Sequence, residues 1–339
     1  MMNKNANSTK VKIGLFGVGH LGKFHLNCIL LCDNLELVGF YEPSDKNAQL
    51  ALDKGIKRYD DIDSLLAEVQ AVDIVTPTFA HFEVAEKALK AGKHVFIEKP
   101  LTETVEQAEI LLALAKEKKV KVQVGHVERF NPAMLAIREV PLNPMFIEAH
   151  RLAVFNPRGT DVSVVLDLMI HDLDIVLSLV PSKIKQISAN GVSIVSTSPD
   201  IANARIEFEN GCVANITASR ISMKNMRKVR VFQRDAYISL DFMEKNAQII
   251  RMYEDDLSNA PTENLIPIET YNGVKHLHMS SPKVEPGNAI QLELYSFAES
   301  ILNDLPMKVD IQDGYEALKV AYQINKEIND RMAALAHNT

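Results

Sequence analysis

The stretch Val11-Lys12-Ile13-Gly14-Leu15-Phe16-Gly17-Val18-Gly19-His20-Leu21-Gly22 runs from an apolar strand straight into a Gly-x-Gly-x-x-Gly turn. In such a turn Gly17 allows the tight reversal and Gly19 lets the backbone approach a pyrophosphate. Gly22 lets the next helix pack on the strand with its amide-rich N-terminus aimed at the anion. His20 and Leu21 lie within the turn and join the candidate cofactor-binding residues. A second strand, Leu35 to Tyr41, ends at Glu42, twenty residues after Gly22. A carboxylate there accepts hydrogen bonds from the adenosine ribose hydroxyls and repels a 2′-phosphate. The spacing therefore points to NAD as cofactor in preference to NADP.

At 339 residues, 47% of them apolar, the chain can fill two hydrophobic cores. No apolar run approaches the ~18 residues of a membrane span. The segment Met1 to Asn7 is polar and lacks a signal-peptide core, so the expected location is the cytoplasm. Cys28, Cys32 and Cys212 offer no disulfide framework, and the four-residue spacing of the first two suits the core face of a helix. A net charge of -7 argues against nucleic acid as the main partner but leaves room for a small anion in a local basic pocket. No metal site is expected, because His276 and His278 have no third ligand at a recognisable spacing.

Strand and helix patterns alternate from about residue 10 to 125, which predicts an α/β fold built on a doubly wound parallel sheet. Its later strands are Ala71 to Thr76, Lys93 to Ile97 and Val120 to Val124, with helices over Phe82 to Ala91 and Thr104 to Lys118. Farther along, an apolar helix near Val164 to Leu179 precedes strands that alternate apolar and polar residues. Ala202 to Phe208 and Cys212 to Ser219 flank a Glu209-Asn210-Gly211 turn, and three more strands continue an antiparallel meander to Tyr253. Glu254 to Asn264 reads as a surface loop, and helices are expected over Ala289 to Asn303 and Asp313 to Ala336. The expected division is a dinucleotide-binding domain over 1–125, a substrate-binding and oligomerisation α/β domain over 126–310, and a C-terminal helix over 311–339 that packs back toward the first domain.

Two short motifs carry chemistry. Glu98-Lys99-Pro100 falls at the carboxyl end of a predicted parallel strand, the edge where open α/β sheets bind ligands, and Pro100 limits Lys99 to extended backbone. Asp167 and His171 are four residues apart in an otherwise apolar helix and so share a face, with Asp174 close to it. Polar groups there are costly unless paired or wetted by a cleft. With the glycine turn and Thr76-Pro77-Thr78-Phe79-Ala80-His81 after the third strand, these motifs occur in the order found in the Gfo/Idh/MocA family, and the chain resembles that family over nearly its whole length.

The resemblance implies a Rossmann domain followed by an α/β domain with an open, mostly antiparallel sheet. It also implies a homodimer or homotetramer formed through that sheet, and NAD(P)-dependent chemistry at a secondary alcohol carbon of a sugar or cyclitol. Lys99, Asp167 and His171 are then the catalytic group, and Thr76, Pro77, His81, Glu98 and Lys99 join the cofactor site. The segment from Gly125 to Pro132, with Arg129, resembles the family's interdomain segment. The run from Arg151 to Asp161, with Arg158, resembles the branch of UDP-N-acetylglucosamine 3-dehydrogenases, which makes Arg129, Arg151 and Arg158 candidates for substrate binding. Val164, Val165 and Met169 stand where many members carry small residues, so a differently shaped pocket is expected.

Either His171 or Lys99 can serve as the base that takes the hydroxyl proton: imidazole titrates near neutrality, and a lysine beside an oxidised nicotinamide can lose its proton readily. A dehydrogenase of inositol or a free sugar, or a non-catalytic NAD-binding sensor, would use the same first domain. The retained Lys99, Asp167 and His171 favour an enzyme.

Overall fold

The computed structural model describes residues 10–156, 162–254, 257, 260–261, 263–271 and 273–336. The chain divides into two compact units, one made of the residues up to Phe130 with Gly287–Lys319, the other of Asn131–Pro286 with the residues from Val320 onward.

The first unit alternates β1 (Val11–Phe16), α1 (Gly22–Leu31), β2 (Leu35–Tyr41), α2 (Asp45–Asp53), α3 (Ile62–Glu68), β3 (Ala71–Ile74), α4 (Thr78–Lys90), β4 (His94–Glu98), α5 (Val105–Lys118) and β5 (Val122–Gly125). All five strands are parallel, in the order β2-β1-β3-β4-β5, so the chain reverses its direction of travel across the sheet between β1 and β3. Side-chain caps set the helix starts: Ser44 accepts from the Asn47 amide, Asp61 from Ser64, and Thr104 forms a reciprocal capping box with Gln107. These caps place α2 and α3 where the sequence pattern alone indicates no helix.

In the second unit, α6 (Pro132–Leu135) and β6 (Phe146–Leu152) lead to a π-helical turn over Val165–Met169 that runs into α7 (Ile170–Leu179). Then come β7 (Ile184–Val192), β8 (Ile201–Phe208), β9 (Val213–Ser219), β10 (Met226–Phe232), β11 (Ala236–Asp241), β12 (Asn246–Tyr253), β13 (Leu265–Thr270) and β14 (Gly273–Ser280). They form a nine-stranded sheet in the order β13-β14-β12-β11-β10-β6-β9-β8-β7, antiparallel except where β6 meets β9. Alternation drives this sheet: Ala202, Ala204, Ile206 and Phe208 of β8 are buried, while its polar residues face the other way. β7 and the β13–β14 hairpin, which carries His276 and His278, extend the expected meander at both edges.

Finally α8 (Ala289–Leu302), capped by Asn288, places Leu294, Phe297 and Ala298 in the core of the first unit with Leu15 and Phe96. Its apolar face therefore ties 287–302 to the first unit, whereas the sequence groups it with the second. The last helix, α9 (Ile311–Ala336), is shared. Gly314 lies so close to Val124 that an added Cβ would come within 2.6 Å of it, while Val320, Ala321, Ile324 and Ile328 enter the core of the second unit. Among the described residues, no helix is long and apolar enough to cross a membrane.

Candidate active site

The glycine turn after β1 and the loop after β3 flank a cavity of about 550 Å³ at the carboxyl edge of the parallel sheet, lined by Gly17, Gly19, His20, Glu42, Thr76 and Pro77 among others. This is the topological switch point, where dinucleotides bind in doubly wound sheets. Gly17 has φ +91°, and a Cβ there would come within 2.8 Å of the Val75 carbonyl oxygen. Only glycine fits without moving the β3 loop. A Cβ on Gly22 would collide with the Gly17 carbonyl, so these two positions fix the turn.

Glu42 is aimed by the backbone. Its Oε2 accepts from the Val18 amide and its Oε1 from the Ser44 amide, each at 3.0 Å. A carboxylate has about four acceptor positions, so two backbone donors leave capacity for ribose hydroxyls. Arg58 does not offset its charge toward the cavity: its guanidinium donates to the carbonyls of Glu42 and Pro43 and to Asp45. The shape, the open approach at Gly19 and the acid at Glu42 fit NAD. Tyr41, Pro43, Asn47, Ile62 and Phe79 also line the cavity. The glycine motif does not reveal them, because they come from the end of β2, from α2 and α3, and from the start of α4.

Of the other expected cofactor residues, Leu21 precedes α1 and is exposed, and Gly22 packs beneath the turn. His81 is buried on α4, with Nδ1 2.9 Å from the Pro100 carbonyl oxygen and Nε2 2.9 Å from that of Thr76. It links the loops after β3 and β4. Burial pushes this imidazole below its ordinary pKa, against the pull of the two carbonyls. Lys99 follows β4 and is half-buried, with its amide donating to Glu98 Oε2 at 3.2 Å.

Glu98 itself turns inward. A contact absent from any sequence motif brings His25 of α1 between Asp73 of β3, 2.9 Å from Nδ1, and Glu98, 3.1 Å from Nε2. Glu293 of α8 lies beside them. Burial disfavours the charged imidazole, but Asp73 and Glu98 outweigh it and hold His25 well above its usual range. Burial raises and His25 lowers both acids, with the net effect upward at Asp73 and downward at Glu98. Burial lifts the Glu293 carboxyl well above the ordinary range.

In the second unit, Asp167 sits in the π turn and His171 lies in the first turn of α7, both half-buried. π turns are uncommon and frequently mark functional positions. Arg151 of β6 does not present a free fork for a substrate phosphate. It is buried, and its Nε and Nη2 donate to Asp172 Oδ2 and Oδ1 at 2.9 and 3.0 Å. Arg220 is likewise buried and donates to the Val162 carbonyl. In the first unit Arg129 lies 3.5 Å from Asp313. Arg158 lies outside the described residues. Cys28, Cys32 and Cys212 are buried thiols, in keeping with a core role.

Comparison with known proteins shows the family. Residues 11–126 match the oxidoreductase family with an NAD-binding Rossmann fold, and 148–239 match the C-terminal domain of the same family. UDP-N-acetylglucosamine 3-dehydrogenase from Acidithiobacillus ferrooxidans is 35% identical over 93% of this chain and 96% of its own. A solved structure of that enzyme superposes with a TM-score of 0.83 at 34% identity, covering 94% of this chain and 98% of the other. The NAD(+)-dependent scyllo-inositol 2-dehydrogenase of Bacillus subtilis is 30% identical over 63% of this chain and 68% of its own. The chain belongs to the Gfo/Idh/MocA family of oxidoreductases, and NAD is its cofactor.

Proposed function

We propose that the protein oxidises a secondary ring hydroxyl of a nucleotide sugar, the 3-hydroxyl of UDP-N-acetylglucosamine or a close relative, with NAD. The observation that carries this reading is the 35% identity to UDP-N-acetylglucosamine 3-dehydrogenase across nearly the full length of both chains. When bound, NAD supplies the acceptor for the hydride that leaves the carbinol carbon. His171 accepts the hydroxyl proton as general base. Lys99, as ammonium, hydrogen-bonds the reacting oxygen and stabilises its developing negative charge, and Asp167 holds a neighbouring hydroxyl in place. Asp172 is excluded from that role by its bond to Arg151. The protein works in the cytoplasm as a homo-oligomer assembled through the nine-stranded sheet.

The scyllo-inositol relative supports a second reading, oxidation of a free polyol. Formation of NADH with a panel of UDP-N-acetylglucosamine, free N-acetylglucosamine, glucose and myo-inositol separates the two. Turnover confined to the UDP sugar is expected, and turnover of a free polyol instead would replace the first reading by the second. His171→Asn should lower kcat by about a thousandfold while NAD affinity, measured by calorimetry, stays unchanged. Retained turnover would remove His171 from the mechanism.

A further inference from the structure

Three carboxyls, Asp73, Glu98 and Glu293, meet one imidazole, His25, in the interior of the first unit, and all four are buried. They come from β3, β4, α8 and α1, so the contact exists only in the folded chain. His25 spans Asp73 and Glu98 through its two nitrogens, and the ligand atoms of His25, Glu98 and Glu293 lie within 4.8 Å of one another. The ring of Phe96 lies edge-on to His25 at 5.7 Å and to Phe297 at 5.8 Å, so aromatic carbon packs beside the cluster.

The space for Glu98 is built into the sheet. Glu98 pairs with Gly125 of β5, and a Cβ at Gly125 would come within 2.7 Å of Glu98 Oε1. The opposite oxygen, Oε2, accepts the amide of Lys99. Glu98 thus joins the His25 cluster to the backbone of Lys99. Gln123 anchors the other side, donating from Nε2 to the Glu293 carbonyl at 2.9 Å.

Four fully ionised groups would carry two net negative charges in a buried setting, at a cost that buried carboxylates avoid by keeping a proton. Geometry selects where it resides. Asp73 and Glu98 each face a nitrogen of His25, and Glu98 also accepts a backbone N–H. Among the described residues neither carboxyl oxygen of Glu293 has a hydrogen-bond partner, and the contact of His25 Nε2 with Glu98 is an ion-pair distance and not a well-aligned hydrogen bond. Among the described residues, Cys28 on α1, His81 on α4 and Lys99 also act electrostatically on the cluster. Burial keeps the Cys28 thiol and the His81 ring toward their neutral forms, and the positive charge of Lys99 acts on Glu98.

We propose that Glu293 is a neutral carboxylic acid packed against a His25 imidazolium and the Glu98 carboxylate, and that His25 and Glu293 are positioning residues that fix Glu98 and, through its bond to the Lys99 amide, the Lys99 turn. This rests on the catalytic role given to Lys99 above. Ionisation of Glu293 at alkaline pH places a second negative charge beside Glu98 and displaces the turn that carries Lys99. The cluster thereby sets an upper pH limit on turnover. The same donors, one imidazole nitrogen and two carboxylates with Asp73 behind the ring, resemble a metal-ligand set. A tightly held cation is the competing outcome.

The test uses the full chain with NAD and UDP-N-acetylglucosamine. Glu293→Gln keeps the shape and the neutrality of the acid. Its kcat near neutrality should lie within about twofold of wild type, and the alkaline fall of kcat expected of wild type should move to higher pH. The infrared carbonyl band of a protonated carboxyl should be present in wild type and missing from the variant. His25→Gln, which removes the central cation, should lower kcat by about a hundredfold without changing NAD affinity, a size typical of a displaced catalytic group.

An unchanged infrared spectrum, a wild-type alkaline limb in Glu293→Gln, or a stoichiometric metal ion in the isolated protein that Glu293→Gln abolishes would each overturn the proposal. Lys99→Met separates the two readings. If it retains turnover, the role of Lys99 falls, whereas the carboxyl band tests Glu293 whether or not the enzyme turns over.

Discussion

In the second unit one buried carboxylate, Asp172, faces one buried guanidinium, Arg151, whereas in the first unit three buried carboxyls share one imidazole. The first arrangement is balanced and bidentate, one negative charge set against one positive through two parallel N–H···O bonds. The second is unbalanced and must hold a proton that pH can remove. A matched pair gives fixed geometry; an unmatched cluster gives geometry that depends on solution conditions.

The largest expected effect comes from breaking the balanced pair. Asp172→Ala takes away the carboxylate that the buried Arg151 fork grips and should cost about 3–5 kcal/mol in denaturant unfolding. Replacing both partners with apolar residues, Arg151→Met with Asp172→Leu, should recover most of that loss. A cost below about 1 kcal/mol for Asp172→Ala would place the pair among weak, solvated ion pairs.

Next in size is Gly125→Ala, whose methyl group would lie 2.7 Å from Glu98 Oε1. It should destabilise the protein by about 1–3 kcal/mol, as overpacking does, and lower kcat with it. An unperturbed Gly125→Ala variant would mean that Glu98 moves freely, removing the link between the cluster and Lys99.

The pH dependence of stability sharpens the contrast. His25 and Glu293 have folded pKa values raised from 6.5 and 4.5, so their contributions are fully present below those unfolded values and are lost as pH rises through the folded ones. Asp200 of the second unit has the opposite sign. Burial raises its pKa, but its Oδ2 accepts the amides of Ile194, Val195 and Ser196 at 2.7, 2.7 and 3.1 Å, and the net value is drawn down from 3.8 to about 2. Its contribution is present above 3.8 and lost as pH falls through about 2. Asp200→Asn should cost about 1–2 kcal/mol near neutrality and flatten the acid limb of a stability profile, leaving the alkaline limb in place.

The smallest effect concerns a carboxylate held by backbone alone. Glu42→Ser should relax the preference for NAD over NADP by about tenfold, which is about 1.4 kcal/mol, read from kcat/KM with each cofactor. No change in the ratio would place Glu42 outside the ribose site.

The difference between the two units also explains what could be read before folding. The glycine turn, Glu42, Glu98-Lys99-Pro100 and the Asp167–His171 spacing are local patterns, and each appears at a strand end or helix turn as its spacing implies. Arg151 shows the limit: the resemblance makes it a candidate for substrate binding, but Asp172 packs against its strand and takes its Nε and Nη2 donors. α2 and α3 escaped detection because their starts are set by single caps, Ser44 and Asp61, and β13–β14 because the edge of the sheet lacks a clear two-residue alternation.

The sequence by itself determined the parallel-sheet domain, the cofactor class and the places of the short motifs at strand ends and helix turns, because backbone period and glycine geometry act over a few neighbouring residues. Only the tertiary structure decided that α8 belongs to the first unit, that Asp172 neutralises Arg151, and that His25, Asp73, Glu98 and Glu293 share one buried site. Those outcomes depend on which charges meet when distant elements pack. The cost of burying a charge is settled by its spatial neighbours, and no local pattern records them.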